Sequence, residues 1–236
     1  MTTIQQRIQN VQQRINKSCQ NCRRETTAVQ LLAVSKTYDV SFIQEAMLAG
    51  QYAFGENYVQ EGIEKIQLLT DFKQNTPLEW HFIGPLQSNK TALVAEHFDW
   101  VHSIDRLKIA QRLNDQRPTH LPPLQVCLQV NTDGGTNKSG ITDLLVHDLA
   151  IAVAQLPRLQ LRGLMAIPEP YPTYQETLAS HLLLKKIFDR LNTLGLNLDT
   201  LSMGMSADLE AAIEAGSTMV RVGSAIFGAR AAKVES

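Results

Sequence analysis

No stretch of this sequence stays apolar long enough to cross a bilayer, so a membrane-spanning helix is not expected. The amino terminus, from Met1 to Arg7, lacks the apolar core of a secretory signal, and a cytoplasmic protein is the expectation. Neither sign of charge prevails: 22 Lys and Arg stand against 23 Asp and Glu, for a formal net charge of -1. That balance leaves no electrostatic footprint for nucleic acid or an anionic membrane surface. Three cysteines, an odd count, do not make a disulfide framework. Cys19 and Cys22 form a C-x-x-C, but no second Cys or His pair lies nearby and no strand precedes it. Neither a redox pair nor a metal site is expected there. Cys127, between Val126 and Leu128, reads as a small buried core residue.

What is present is an alternation. Ile4, Ile8, Val11 and Ile15 recur at helical spacing among Gln, Arg and Asn, an amphipathic opening helix within residues 1–27 that must lie on something. Strand candidates then follow at 31–36, 52–55, 79–84, 100–104, 124–131, 159–167, 200–204 and 219–227. Helical patterns separate them, with Gly50 and Gly195 placed to end two of these helices and Asp105 and Ser206 placed as N-caps of two others. No long linker, composition break or internal repeat divides the 236 residues. Eight β/α units in one chain of this length fit a single (β/α)8 barrel of the TIM type spanning 1–236, with 231–236 as a tail. A doubly wound open sheet is the alternative topology.

The run Leu31-Leu32-Ala33-Val34-Ser35 ends in an amine, Lys36. A fully apolar strand is covered on both faces, and a lysine at its carboxyl end sits where parallel α/β folds place their chemistry. On this stretch alone Lys36 reads simply as the strand's exit into solvent. Later segments add to it. Ser206 follows strand seven, and Arg221, Gly223 and Ser224 lie on strand eight, where barrels often bind phosphate. Taken singly, Ser206 is a helix cap and Gly223 a relief of crowding. Taken together, an anion cradle stands beside a lysine around a closed barrel. Lysine amines attack carbonyl carbon to form Schiff bases, so a ligand with both an aldehyde and a phosphate satisfies both features. Pyridoxal 5'-phosphate (PLP) is such a ligand. Arg221 would lie between the two, available to the pyridine nitrogen.

The motifs 34–37 (Val-Ser-Lys-Thr), 54–57 (Phe-Gly-Glu-Asn), 81–84 (His-Phe-Ile-Gly), 86–90 (Leu-Gln-Ser-Asn-Lys), 163–165 (Gly-Leu-Met), 202–206 (Ser-Met-Gly-Met-Ser) and 221–228 (Arg-Val-Gly-Ser-Ala-Ile-Phe-Gly) resemble those of the pyridoxal phosphate homeostasis protein family. The resemblance runs from about residue 4 to 230. It implies an alanine racemase N-terminal-like barrel of PLP fold-type III. It also implies that Lys36 carries the Schiff base, that Ser206, Gly223 and Ser224 hold the phosphate, and that Arg221 meets the pyridine nitrogen. Asn57 and Met165 look like rim or ring contacts. One departure is Gly135, in the loop after strand five, where an acidic residue is the family's pattern. That loop also fails G-x-x-x-x-G-K-[ST], which argues against nucleotide binding.

Function then turns on acid–base groups. An arginine at the pyridine nitrogen disfavours its protonation and weakens the ring as an electron sink. Racemases of this fold type use a second acid/base, a tyrosine from an added domain, and this chain ends soon after strand eight. The expectation is a PLP-binding protein that buffers vitamin B6, and indirectly amino-acid and keto-acid pools, without efficient catalysis. Weak racemase-like activity is the alternative, and a phosphate-binding barrel without a Schiff base is a third. The implied ligands are PLP, other B6 vitamers or amino acids, with transient contact to PLP-dependent apo-enzymes. A monomer is expected.

Overall fold

Each apolar run becomes a parallel strand, because only pairing on both edges satisfies the backbone of a segment covered on both faces. In the computed structural model, which describes residues 2–73, 76, 78–133 and 139–228, β1 Gln30–Val34, β2 Ala53–Glu56, β3 Glu79–Phe82 and β4 Trp100–Ile104 are followed by β5 Leu124–Gln129, β6 Leu159–Met165, β7 Thr200–Ser202 and β8 Met219–Val222. They pair in chain order and close into a barrel, β1 joining β8 through the register Leu31 to Val220 and Leu32 to Arg221. The open-sheet alternative is thereby excluded.

The helices are α1 Ile4–Asn21, α2 Val40–Leu48, α3 Val59–Leu68, α4 Thr70–Lys73, α5 Thr91–His97, α6 Leu107–Gln116, α7 Asp143–Ala154, α8 Tyr174–Asn192, α9 Leu209–Glu214 and α10 Ser224–Phe227. The extra helix α1 is stopped at its start by a capping box between Thr3 and Gln6. It buries Ile4, Ile8, Val11 and Ile15 against its neighbours α2, α9 and α10. Its polar face is used as well. Arg14 forms a two-pronged pair with Glu210 (2.9 and 3.0 Å) and donates to the Ser206 carbonyl (3.0 Å), so α1 steadies the loop after β7.

Three expectations change. Residues 219–227 split into β8 and α10 at Gly223, because an apolar run such as Ala-Ile-Phe looks the same in a buried strand and a buried helix. Ser206 does not cap the next helix: 206–208 form a turn, and Asp208 occupies the cap position of α9. Asp105 does not cap α6 either, since Arg106 takes that place and pairs with Asp105 at 2.8 Å. Gly135 and the tail 231–236 lie outside the described residues.

The C-x-x-C is a helix ending. Cys19 is buried in α1, Cys22 stands just beyond it, and both thiols are free. Burial pushes both thiols up, away from the reactive thiolate. Cys127 is pushed up to about 12 by burial. Among the described residues no helix is long and apolar enough to cross a membrane, and no group of three His, Cys, Asp or Glu is placed to hold a metal ion.

Candidate functional site

At the carboxyl ends of the strands lies a cavity of about 530 Å³. It collects Lys36 from beyond β1, Asn57 from beyond β2, Ser206 from beyond β7, Arg221 from β8, and Gly223 and Ser224 from beyond it. These are six of the seven residues singled out from the sequence. Met165 is not among the lining residues. It is fully buried inside the barrel with Trp100 and Cys127, two residues deeper along the chain than Ile167, which does line the cavity.

Lys36 is half-buried, and the residues on either side of it are tied down. The Ser35 hydroxyl donates to Glu56 Oε1 at 2.7 Å, and the Ser35 carbonyl accepts from Lys65 Nζ at 2.7 Å. Thr37 sits at a φ of 68°, a left-handed conformation that costs a non-glycine residue about 1–2 kcal/mol. Its N–H donates to Glu61 Oε1 at 2.5 Å. Lys65 joins both sides, donating also to Glu56 Oε1 (2.8 Å) and Glu61 Oε1 (2.6 Å). Burial pushes the Glu56 carboxyl up, while the Lys65 ammonium and the Ser35 hydroxyl pull it back. Sequence reasoning missed this cluster. Its signal was a glutamate at the end of an otherwise apolar strand.

Arg221 is buried to 3% exposure. Nη1 donates to the Ser202 carbonyl (2.5 Å) and hydroxyl (2.8 Å), and Nη2 to the Ala166 carbonyl (2.8 Å). Burial lowers its pKa to about 10, so it remains a cation at neutral pH.

Two features fit a phosphorylated ring. At Gly223 an added Cβ would sit 3.1 Å from the Val34 carbonyl and 3.4 Å from Val34 Cβ, so glycine lets this edge of the cavity lie close against β1. Asn57 Oδ1 is buried and has no protein partner, an acceptor at a lining position. Hydroxyl, N–H and cationic donors at 206, 221, 223 and 224 suit an anion, and Ile83 and Ile167 supply apolar wall. Gly84 presses on Asn57 from behind: a Cβ there would lie 2.1 Å from the Asn57 carbonyl oxygen.

The turn carrying Ser206 is held by Asp208. Asp208 Oδ1 accepts from the Met205 N–H (2.6 Å), and Oδ2 accepts from Nε2 of buried His181 (2.9 Å). Burial raises the Asp208 carboxyl, but these donors outweigh it and hold the carboxyl below its ordinary value. A depressed carboxylate contributes stability that is fully present above its unfolded value and is lost as pH falls through the folded one. Asp208→Asn should therefore be less stable than wild type at pH 7, by about 1–3 kcal/mol. The gap between the two denaturation midpoints should close as pH drops below about 4. A gap that is constant from pH 7 to 3 would argue against this role for the carboxylate.

The chain is similar to known proteins over nearly its whole length. Residues 7–231 match the family model described as alanine racemase, N-terminal domain. A pyridoxal phosphate homeostasis protein of Vibrio alginolyticus is 56% identical over 230 residues, covering 98% of this chain and 99% of that protein. The solved structure of PipY from Synechococcus elongatus PCC7942 with PLP bound is 37% identical, with a TM-score of 0.78, over 91% of this chain and all of that one. Alanine racemase from Corynebacterium glutamicum shares the fold alone, at 16% identity and a TM-score of 0.65 over 95% of this chain and 63% of that one. With the full chain matched at this identity and the barrel closed in the racemase manner, the protein belongs to the pyridoxal phosphate homeostasis protein family, built on the alanine racemase N-terminal domain.

Proposed function

We propose that this chain binds pyridoxal 5'-phosphate in the cavity at the carboxyl ends of its strands and takes part in intracellular homeostasis of that cofactor, without efficient catalysis. The observation that carries the reading is one cavity holding a lysine, a buried arginine and a Ser206–Gly223–Ser224 edge of phosphate donors. The PLP-bound structure of a relative at 37% identity supports the same ligand here. Bound PLP supplies an aldehyde carbon that an amine can capture and a ring that draws electrons from it.

The chain's own groups do the rest. Lys36 supplies the amine from a backbone fixed on both sides by the Lys65 cluster. Ser206, Gly223 and Ser224 hold the phosphate. Arg221 presents a permanent cation to the pyridine nitrogen and disfavours protonation there. Ile83, Val34 and Ile167 exclude water from one part of the wall.

The absence of efficient turnover rests on acid–base groups. Among the described lining residues, Lys36 and Arg221 are the only ionisable side chains, and arginine does not give up its proton near neutrality. Racemisation by two bases needs a second proton donor on the opposite face of the ring. Weak racemase-like chemistry using Lys36 alone is the competing reading. Incubation of the PLP-loaded protein with amino acids in deuterated water should give α-hydrogen exchange far below enzyme rates. Addition of an amino acid should shift the visible band of the bound cofactor as the amine competes with Lys36. Exchange at enzyme-like turnover would overturn the carrier reading, and a protein that acquires no visible band with PLP would overturn PLP binding itself. Release to PLP-dependent apo-enzymes is the expected use of such a store.

A further inference from the structure

Arg221 is the upper end of a chain of polar side chains that runs down the inside of the barrel. Its Nη1 donates to Ser202 Oγ on β7 at 2.8 Å, and Ser202 Oγ lies 2.9 Å from Nδ1 of His102 on β4. His102 Nε2 lies 3.0 Å from Nδ1 of His81 on β3, and His81 Nε2 lies 3.6 Å from Glu79 Oε2. Ser202, His102 and His81 are completely buried. Glu79 is the first residue of β3, so it stands at the amino ends of the strands, opposite the cavity, with its side chain 45% exposed.

The direction of every proton in this chain follows from its two ends. A guanidinium only donates, so Ser202 Oγ accepts at the top, and His102 Nδ1 at 2.9 Å is the acceptor within reach of its single proton. An ionised carboxylate only accepts, so the Glu79 charge 3.6 Å away favours a proton on His81 Nε2 at the bottom. His81 Nδ1 is then the acceptor, and His102 Nε2 is the donor between the rings. Both ends favour the same assignment: two neutral imidazoles, each protonated on Nε2. The reverse orientation would place a lone pair of His81 against the Glu79 carboxylate and leave the Ser202 proton without its acceptor. The last separation exceeds a direct hydrogen bond, and Glu79 acts there as a charge facing a polarised N–H. Gln30 Nε2 steadies that carboxylate at 3.3 Å.

We propose that Ser202, His102 and His81 form a hydrogen-bonded column of one polarity, anchored by Glu79 at the base of the barrel, that keeps the Ser202 hydroxyl an acceptor and so holds the Arg221 guanidinium aimed at the cavity. These are positioning residues, acting on the ligand only through Arg221. No proton is delivered, because the guanidinium at the top has none to exchange near neutrality.

The surroundings favour neutral rings. Burial pushes both imidazoles down, and for His102 the Arg221 charge acts in the same direction. Opposing it at His81 are Glu79 on its own strand and Asp99 before β4. From β4, Trp100 stacks on His81 with ring centres 5.2 Å apart, and Arg162 of β6 covers that indole at 4.9 Å from the ring centre, itself paired with Asp199 before β7 at 2.6 Å. Cys127 faces Arg221 from β5, and Asp208 faces it from the turn before α9.

The inference rests on the PLP reading only for what Arg221 faces, and its first test needs no PLP. Protein carrying 15N-labelled histidine, without cofactor at pH 7, should show both rings protonated on Nε2 and bare on Nδ1, assigned with His81→Gln and His102→Gln. A proton on Nδ1 of either ring, or a doubly protonated ring at pH 7, would overturn the column. The second test is functional. Ser202→Ala should weaken PLP binding about tenfold, the loss of one charge-assisted hydrogen bond, and shift the pH midpoint of the visible band. Glu79→Gln, at the surface, should weaken binding about threefold with an unchanged Tm, and it reads the same link should Ser202→Ala fail to fold. Wild-type affinity and pH midpoint in Glu79→Gln would count against the proposal. If wild-type protein failed to take up PLP while the tautomers stood as assigned, the functional reading would fall and the column would remain.

Discussion

Lys36→Ala should lose covalent retention of PLP while the barrel stays folded. The argument starts from the strand. β1 ends at Val34, and its pairing with β2 and β8 uses no atom of Lys36. The side chain is half-buried at a cavity rim, so truncation opens no cavity in the core. A substitution outside the core of this kind changes stability by about 0.5 kcal/mol or less. What disappears is an amine held in the same cavity as the aldehyde, which makes capture intramolecular rather than bimolecular. Affinity for PLP should fall by roughly two orders of magnitude, about 2.7 kcal/mol. The residual binding should come from the Ser206–Gly223–Ser224 edge and Arg221. Borohydride reduction and peptide mapping should label Lys36 in the wild-type protein and leave the variant unlabelled. A variant that unfolds, or one that borohydride still labels in this cavity, would show that Lys36 has another role.

The sequence exposed this residue because its features are local. An apolar run with an amine at its end, a serine after the seventh run and an Arg-x-Gly-Ser on the eighth need only the barrel's closure to meet, and the barrel itself followed from eight alternations. Met165 lies off the cavity for a reason of depth. It faces the barrel interior like Ile167 but lies a layer below the cavity, and a linear pattern gives direction without depth. The cap at Ser206 was misplaced because serine and aspartate two positions apart both suit a helix start, and the tertiary bond from His181 selects Asp208. The buried polar groups were the least legible. Glu56, Lys65, His81 and His102 read as ordinary polar residues until the fold brings partners from other strands and helices to them, because burial of a charge is permitted only by those partners.

Lys65→Met carries the second large effect, because it removes a buried cation that three oxygens share. With the ammonium gone, Glu56 stays fully buried with only the Ser35 hydroxyl on Oε1, while Oε2 already lacks a protein partner. Breaking one side of a buried ion pair costs about 3–5 kcal/mol, and urea denaturation should report a loss in that range. The effect on binding is separate. Thr37 keeps its left-handed conformation against an intrinsic cost because Glu61 accepts its N–H, and Glu61 is held there by Lys65. Without that tether the backbone on both sides of Lys36 loosens, and PLP affinity should fall with stability. A double variant separates the two. Lys65→Met with Glu56→Gln removes the unpaired charge along with the cation, and a neutral amide costs far less to bury than an unpaired carboxylate. Most of the lost stability should therefore return. The affinity should not, because neither methionine nor glutamine restores a donor to the Ser35 carbonyl and Glu61 together. Full recovery of PLP binding in the double variant would reduce the Lys65 cluster to a matter of folding, and a single variant within 1 kcal/mol of wild type would mean that the buried pair contributes little to folding.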